Sequence, residues 1–129
     1  MTIINHKYPV WVEINKNAII HNIEQIKQNI RKSSPNSLFC GVIKSNAYGH
    51  GMVEVAKIIE DYVDWYAVNA FWEARKIIDE TAISKPIIVL GYTPALALEE
   101  LIDYPSVRLI VYNFETLEEL NSIAVKHNK

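Results

Sequence analysis

One cysteine, four glycines and no apolar stretch long enough for a membrane span set the first limits on this chain. Cys40, being alone, excludes an internal disulfide and any metal site built on several thiols. Four glycines and five prolines among 129 residues leave little room for flexible linkers. Thirteen basic side chains stand against fifteen acidic ones, with no long Lys/Arg run, which argues against a general nucleic-acid binder. The opening MTIINHKYPVWVEIN has neither a continuous apolar core nor the small-residue cleavage site of a secretory leader. The chain is therefore expected in the cytoplasm, without a membrane anchor. His6, His21 and His127 lack ligand spacing, so no metal site is expected. What is present is ordinary for a globular chain: 50% apolar and 22% charged, too apolar for disorder. Length alone fits one compact domain.

Residues 8–14 alternate, with Val10, Val12 and Ile14 on one side and Trp11 and Glu13 on the other, which predicts a half-buried strand. Residues 1–15 form the N-terminal strand segment, and 16–129 the main domain. Asn15 is a helix cap, followed by Ile19, Ile23, Ile26 and Ile30 at helical spacing. Ser33-Ser34-Pro35-Asn36 then breaks the pattern. Four short apolar runs follow, at 38–43, 65–68, 86–90 and 107–112. Helical stripes come after each: Met52/Val55/Ala56/Ile59, Ala70/Ala74/Ile77/Ile78, Ala95/Leu98/Leu101 and Leu117/Leu120/Ala124. Runs this apolar suit strands buried on both faces of a parallel sheet. Their alternation with helices gives an α/β class built of βα units. Periodicity leaves two architectures open. One is a small open sheet covered on both faces; the other is the first half of a (β/α)8 barrel, which takes about 250 residues when complete.

The stretch that carries chemistry is Phe39-Cys40-Gly41-Val42-Ile43-Lys44-Ser45-Asn46-Ala47-Tyr48-Gly49-His50-Gly51. In parallel α/β folds the C-terminal strand ends hold the reacting groups, and Lys44 stands at such an end. An amine walled by Val42, Ile43 and neighbouring strands is partly desolvated, which favours its neutral, nucleophilic form. A lysine of this kind condenses with an aldehyde, and pyridoxal phosphate is the commonest such cofactor. Tyr48 adds a phenol on the same loop, His50 a titratable ring, and Gly49 and Gly51 the freedom to take positive φ. Each is bland alone: a strand-ending lysine is ordinarily solvated, and Gly-His-Gly is ordinarily a turn. The block is neither a Walker A loop nor a dinucleotide-binding Gly-x-Gly-x-x-Gly. Cys40, beside Gly41, is expected to be a small core residue, and Trp11, Trp65 and Trp72 to pack. Glu99, Glu100, Glu115, Glu118 and Glu119 are expected near helix starts.

Taken whole, Val-Ile-Lys-Ser-Asn-Ala-Tyr-Gly-His-Gly closely resembles the cofactor signature of alanine racemases, the fold-type III pyridoxal-phosphate enzymes. Trp11-Val12-Glu13-Ile14-Asn15 with Ala18 and His21-Asn22-Ile23, Ala67-Val68 before Glu73-Ala74, and Ile88-Val89-Leu90-Gly91-Tyr92 resemble that family too. The resemblance implies four βα units forming the first half of a TIM-like barrel. The preceding strand, in the family, joins a C-terminal β-domain. It implies Lys44 as the cofactor-bearing lysine and one of two racemisation bases, Tyr48 on the cofactor phosphate, and Leu90 lining the cofactor pocket. It implies pyridoxal 5'-phosphate as cofactor, L- and D-alanine as substrates, and D-alanine supply for peptidoglycan. It also implies a homodimer whose partner supplies a tyrosine as the second base. Arg31, Arg75 and Arg108 match none of the family's arginine roles. The chain therefore reads as about the first third of a longer enzyme, little active alone and inclined to self-associate through open sheet edges. Two alternatives stay open: a racemase of serine or another small amino acid, and a non-catalytic pyridoxal-phosphate-binding module.

Overall fold

Asn15 starts the first helix, as its residue type suggested. In the computed structural model, which describes residues 9–129, its side-chain oxygen accepts the Ala18 N–H at 3.0 Å. It thereby caps α1 (Lys16–Ser33), whose first-turn donors otherwise lack partners. Ile19 and Ile23 turn inward against the core, whereas Ile26 is exposed. Lys27, off the apolar stripe, anchors the helix instead. Its Nζ donates to the Tyr62 carbonyl at 2.7 Å and lies 5.7 Å from the centre of the Phe39 ring.

The strand expected over 8–14 is not formed among the described residues; Tyr8 lies outside them. Val10, Trp11 and Val12 are exposed, and the Trp11 indole N–H donates locally to Glu13 Oε1 at 3.0 Å. The alternation was there, but a strand needs a neighbour for its backbone groups, and among the described residues no strand pairs with this segment.

The sheet is built of β1 (Cys40–Val42), β2 (Trp65–Val68), β3 (Ile87–Val89) and β4 (Val107–Leu109), each within its expected apolar run. All neighbours are parallel, in the order β1-β2-β3-β4. Between and after them come α2 (Lys44–Tyr48), α3 (Met52–Ile59), α4 (Phe71–Glu80), α5 (Ala95–Leu98) and α6 (Phe114–Lys126). Strand order decides between the two architectures. Right-handed crossovers between strands taken in sequence lay every helix on one face. A doubly wound sheet reverses its order at a switch point, and this one does not. Four units wound this way are half of a (β/α)8 barrel.

Burial follows from that winding and corrects the expectation of two covered faces. Ile43, Tyr66, Val68, Ile87 and Val89 point under the helices and are buried, with Tyr66 Oη donating to the Ala56 carbonyl at 2.8 Å. On the other face Val42 is 51% exposed and Cys40 is exposed, so this cysteine is no core residue. Partial desolvation raises the Cys40 thiol pKa. Two of the tryptophans expected to pack, Trp11 and Trp72, are exposed. The α6 stripe is only half covered: Leu120 and Ala124 are intermediate, while Phe114 and Leu117 are exposed. Glu99 and Glu100 stand in the first turn of the 3-10 helix Glu99–Asp103, near a helix start as expected, and each also makes an ion pair. Glu100 pairs with Arg75 at 2.8 Å, and Glu99 with Lys126 and His127. Among the described residues no helix is long and apolar enough to cross a membrane.

Candidate active site at the strand ends

The strands end together on one rim. The Ile43 N–H bonds the Ala67 carbonyl at 2.9 Å, Leu90 N–H the Val68 carbonyl at 2.9 Å, and Ile110 N–H the Val89 carbonyl at 3.2 Å. Lys44 is the second residue past β1 on this rim, after Ile43. It opens α2, a single turn in which Ser45, Asn46, Ala47 and Tyr48 have φ of +54, +56, +51 and +52°. Left-handed backbone costs an L-residue roughly 1–2 kcal/mol, less for Asn. Four in a row therefore need compensation, and it can be traced.

Ala47 is buried at 8% exposure, and its N–H bonds the Ile43 carbonyl at 2.9 Å. Asn46 Oδ1 accepts the Met52 N–H at 2.9 Å, which caps α3 from the turn. His50 Nδ1 lies 2.9 Å from the Ala47 carbonyl; because a carbonyl only accepts, that ring nitrogen carries the proton. Gly49 and Gly51 complete the exit with φ of +93 and +87°, the freedom expected of them. Asn46 and His50 thus shape the loop.

A further restraint comes from a residue to which sequence reasoning gave no role of its own. Glu73 is only 2% exposed. Its Oε1 accepts the Ser45 N–H at 2.7 Å, and its Oε2 accepts the N–H groups of Asn69 at 2.7 Å and Ala70 at 3.1 Å. Glu73 is the third residue of α4, so bonding the N-cap N–H is half of a capping box. Ala70 cannot reciprocate through its side chain. The available signal was a glutamate three residues after a poor cap at a strand end.

The sequence-predicted residues fall on this rim as follows. Lys44 is half-buried, and its Nζ has no hydrogen bond or ion pair among the described residues. The wall expected around it is incomplete, because Val42 faces outward. Tyr48 is 68% exposed, with its hydroxyl bonded to no described residue. Leu90 is 38% exposed just past β3, two strands from β1 and so about 10 Å across the sheet. An amine and a phenol follow the end of β1, and an apolar side chain follows the end of β3.

A singly wound parallel sheet of four βα units, with a lysine on its C-terminal rim that has no partner among the described residues, is the first half of a βα-barrel. The family profile described as "Alanine racemase, N-terminal domain" matches residues 14–129, and the chain belongs to that family of racemases. Alanine racemase 1 of Clostridium acetobutylicum is 36% identical over 124 residues, 95% of this chain and 31% of that protein. Alanine racemase of Methanococcus maripaludis is 37% identical over 123 residues, 95% of this chain and 32% of that one. Among solved structures, the alanine racemase of Clostridium difficile 630 in complex with cycloserine superposes with a TM-score of 0.80 at 37% identity. That match covers 97% of this chain and 33% of that one. The chain therefore spans about a third of the length of these relatives.

Proposed function

We propose that this chain is the lysine-bearing part of an amino-acid racemase that interconverts L- and D-alanine on pyridoxal 5'-phosphate, supplying D-alanine for peptidoglycan in the cytoplasm. The carrying observation is Lys44: an amine at a strand end, held by a strained turn and given no partner among the described residues. Bound pyridoxal phosphate supplies an electron sink for the charge left when an α-proton departs. Lys44 Nζ takes and returns that proton on one face of the substrate. The Tyr48 hydroxyl donates to the phosphate, and the Leu90 side chain bounds the apolar side of the ring.

Racemisation needs an acid/base on each face of a planar carbon. In keeping with the resemblance to alanine racemases, we assign the second to a tyrosine of the partner chain in a homodimer. The 129 residues alone hold the cofactor and turn over little substrate. Residues 16–129 form the barrel part, and 1–15 a separate leading segment. The test is borohydride trapping of the chain after incubation with pyridoxal phosphate, read by peptide mass. One equivalent on Lys44, absent in Lys44→Ala, supports the assignment. An adduct spread evenly over the surface lysines, unchanged in Lys44→Ala, refutes it.

A further inference from the structure

Glu73 is buried, titratable and unused by the chemistry proposed for Lys44. A carboxylate out of water must be well hydrogen-bonded, and three backbone N–H groups meet that demand. Two of them, at Asn69 and Ala70, belong to the start of its own helix, and capping accounts for them. The third does not. Ser45 lies 28 residues earlier in the chain, and α4 gains nothing from holding it.

The left-handed turn explains what Ser45 gains. Ser45 is the residue at which the backbone crosses from β1 into left-handed geometry, and its N–H points to Glu73 Oε1. The later residues of the turn close on one another through Ala47, Gly49, His50 and Gly51. The Ser45 N–H is tied by the carboxylate. Lys44, the adjacent residue, ends in an amine on a flexible four-carbon stem. Where that amine stands depends on where its backbone is fixed.

We propose that Glu73 is the positioning residue of the reactive lysine. Its Oε1 ties the Ser45 N–H, and with it the Lys44 backbone, to the turn between β2 and α4. This rests on reading Lys44 as the reactive amine.

The two oxygens divide the labour, and that makes Glu73→Gln informative. A glutamine keeps one acceptor. Turned toward Asn69 and Ala70, that acceptor keeps two bonds and sets its NH2 against Ser45; turned the other way it keeps only one. The first arrangement is favoured, so the substitution releases the tether and spares the cap. A second variant, Ala70→Ser with Glu73→Ala, gives α4 a side-chain cap and removes the tether outright.

Two measurements on the full chain decide the matter. The first is amide hydrogen exchange without cofactor. Ser45 should exchange at least tenfold faster in both variants, while Val55 and Ile77 keep their wild-type protection. The second is borohydride trapping with pyridoxal phosphate, scored as the Lys44 adduct relative to Lys16 and Lys57. That selectivity should fall severalfold in both variants. Unchanged Ser45 exchange in a folded Glu73→Gln chain overturns the tether. Faster exchange with undiminished Lys44 selectivity overturns positioning and leaves the lysine assignment standing. Full recovery of both measurements in the double variant reduces Glu73 to a helix cap. Absence of Lys44 selectivity in the wild-type chain overturns the assignment on which the proposal rests, independently of the exchange result.

Discussion

The two faces of this four-stranded sheet are made by the same strands and are treated very differently. On one, Ile43, Tyr66, Val68, Ile87 and Val89 lie at 0–3% exposure beneath the helices. On the other, Cys40, Val42, Leu90 and Ile110 remain exposed. Side chains alternate along each strand, so one register sends half of them to each side, although the small Ala67 of central β2 is buried on the second side too. The covered face carries the apolar burial that stabilises the fold. The uncovered face and its rim carry the amine, the phenol and the strained turn. Stability and chemistry are thereby separated by a single strand thickness.

The hardest test of that separation compares truncations on the two faces. Ile77, fully buried in α4 against the covered face, should lose about 2–5 kcal/mol when changed to alanine, read as a shift in urea midpoint. Val42→Ala on the uncovered face should cost under about 0.5 kcal/mol, as for surface substitutions. Comparable losses at the two sites would erase the contrast. The rim falls between. A Cβ on Gly91 would stand 2.6 Å from the Asn69 carbonyl oxygen, a backbone atom that cannot swing aside. Gly91→Ala should cost about 1–3 kcal/mol by forcing β2 and β3 apart at their ends. A stability within error of wild type would show that the rim yields more readily than its ladder bonds imply.

The covered face was the more legible one. Apolar runs and 3.6-residue stripes report burial directly, so Met52, Val55, Ala56 and Ile59 were identifiable as one packed face of α3. Lys44 stood out as the charged residue that ends such a run, and its reading as a reactive amine came from the Val42–Gly51 block as a whole. The uncovered face was not, since a wholly apolar run looks the same whether one side or both are covered. The segment at 8–14 alternates properly, yet its described residues, 9–14, form no strand, because pairing depends on a neighbour rather than on the segment itself. Glu73 was hidden by its ordinary place in a helix's first turn; its bond to Ser45 exists only once β1 and β2 lie side by side. The left-handed turn was half visible through Gly49 and Gly51. Four non-glycine residues in that geometry leave no trace in local preference.

A third contrast uses pH. Burial first, then the nearby Glu60 and Asp61 charges, push the Tyr66 phenol well above its ordinary value of 10. A group raised on folding contributes stability in full below its unfolded value and loses it as pH rises past that value. The covered face should therefore weaken above pH 10, by about 1.4 kcal/mol per pH unit from this group. Tyr66→Phe should be the less stable chain at pH 7, by about 1 kcal/mol for the lost bond to Ala56. It should nonetheless show a flatter decline between pH 10 and 12 in thermal melts. An equally steep decline would place the alkaline sensitivity elsewhere.

The smallest expected effect lies at the opposite extreme of burial, on the outer surface of α6. Glu99 accepts from Lys126 and, at 3.1 Å, from His127, joining the end of α6 to the turn after α5. The Lys126 hydrogen bond first, and then that of His127, hold the Glu99 carboxyl below its ordinary value of 4.5. A group lowered on folding stabilises above its unfolded value and loses that contribution as pH falls through the folded one. All three side chains are solvent-accessible, so the effect is local and screened by salt. Amide exchange at Ser122 and Val125 should quicken as pH drops from 5 to 3, beyond the intrinsic pH dependence of exchange, while Ile77 keeps its protection. Glu99→Gln should remove that step, because the amide does not titrate. An acid step that survives in Glu99→Gln would mean that α6 loosens for a reason other than this ion pair. Loss of Ile77 protection over the same range would mean that the outer helix and the covered face open together.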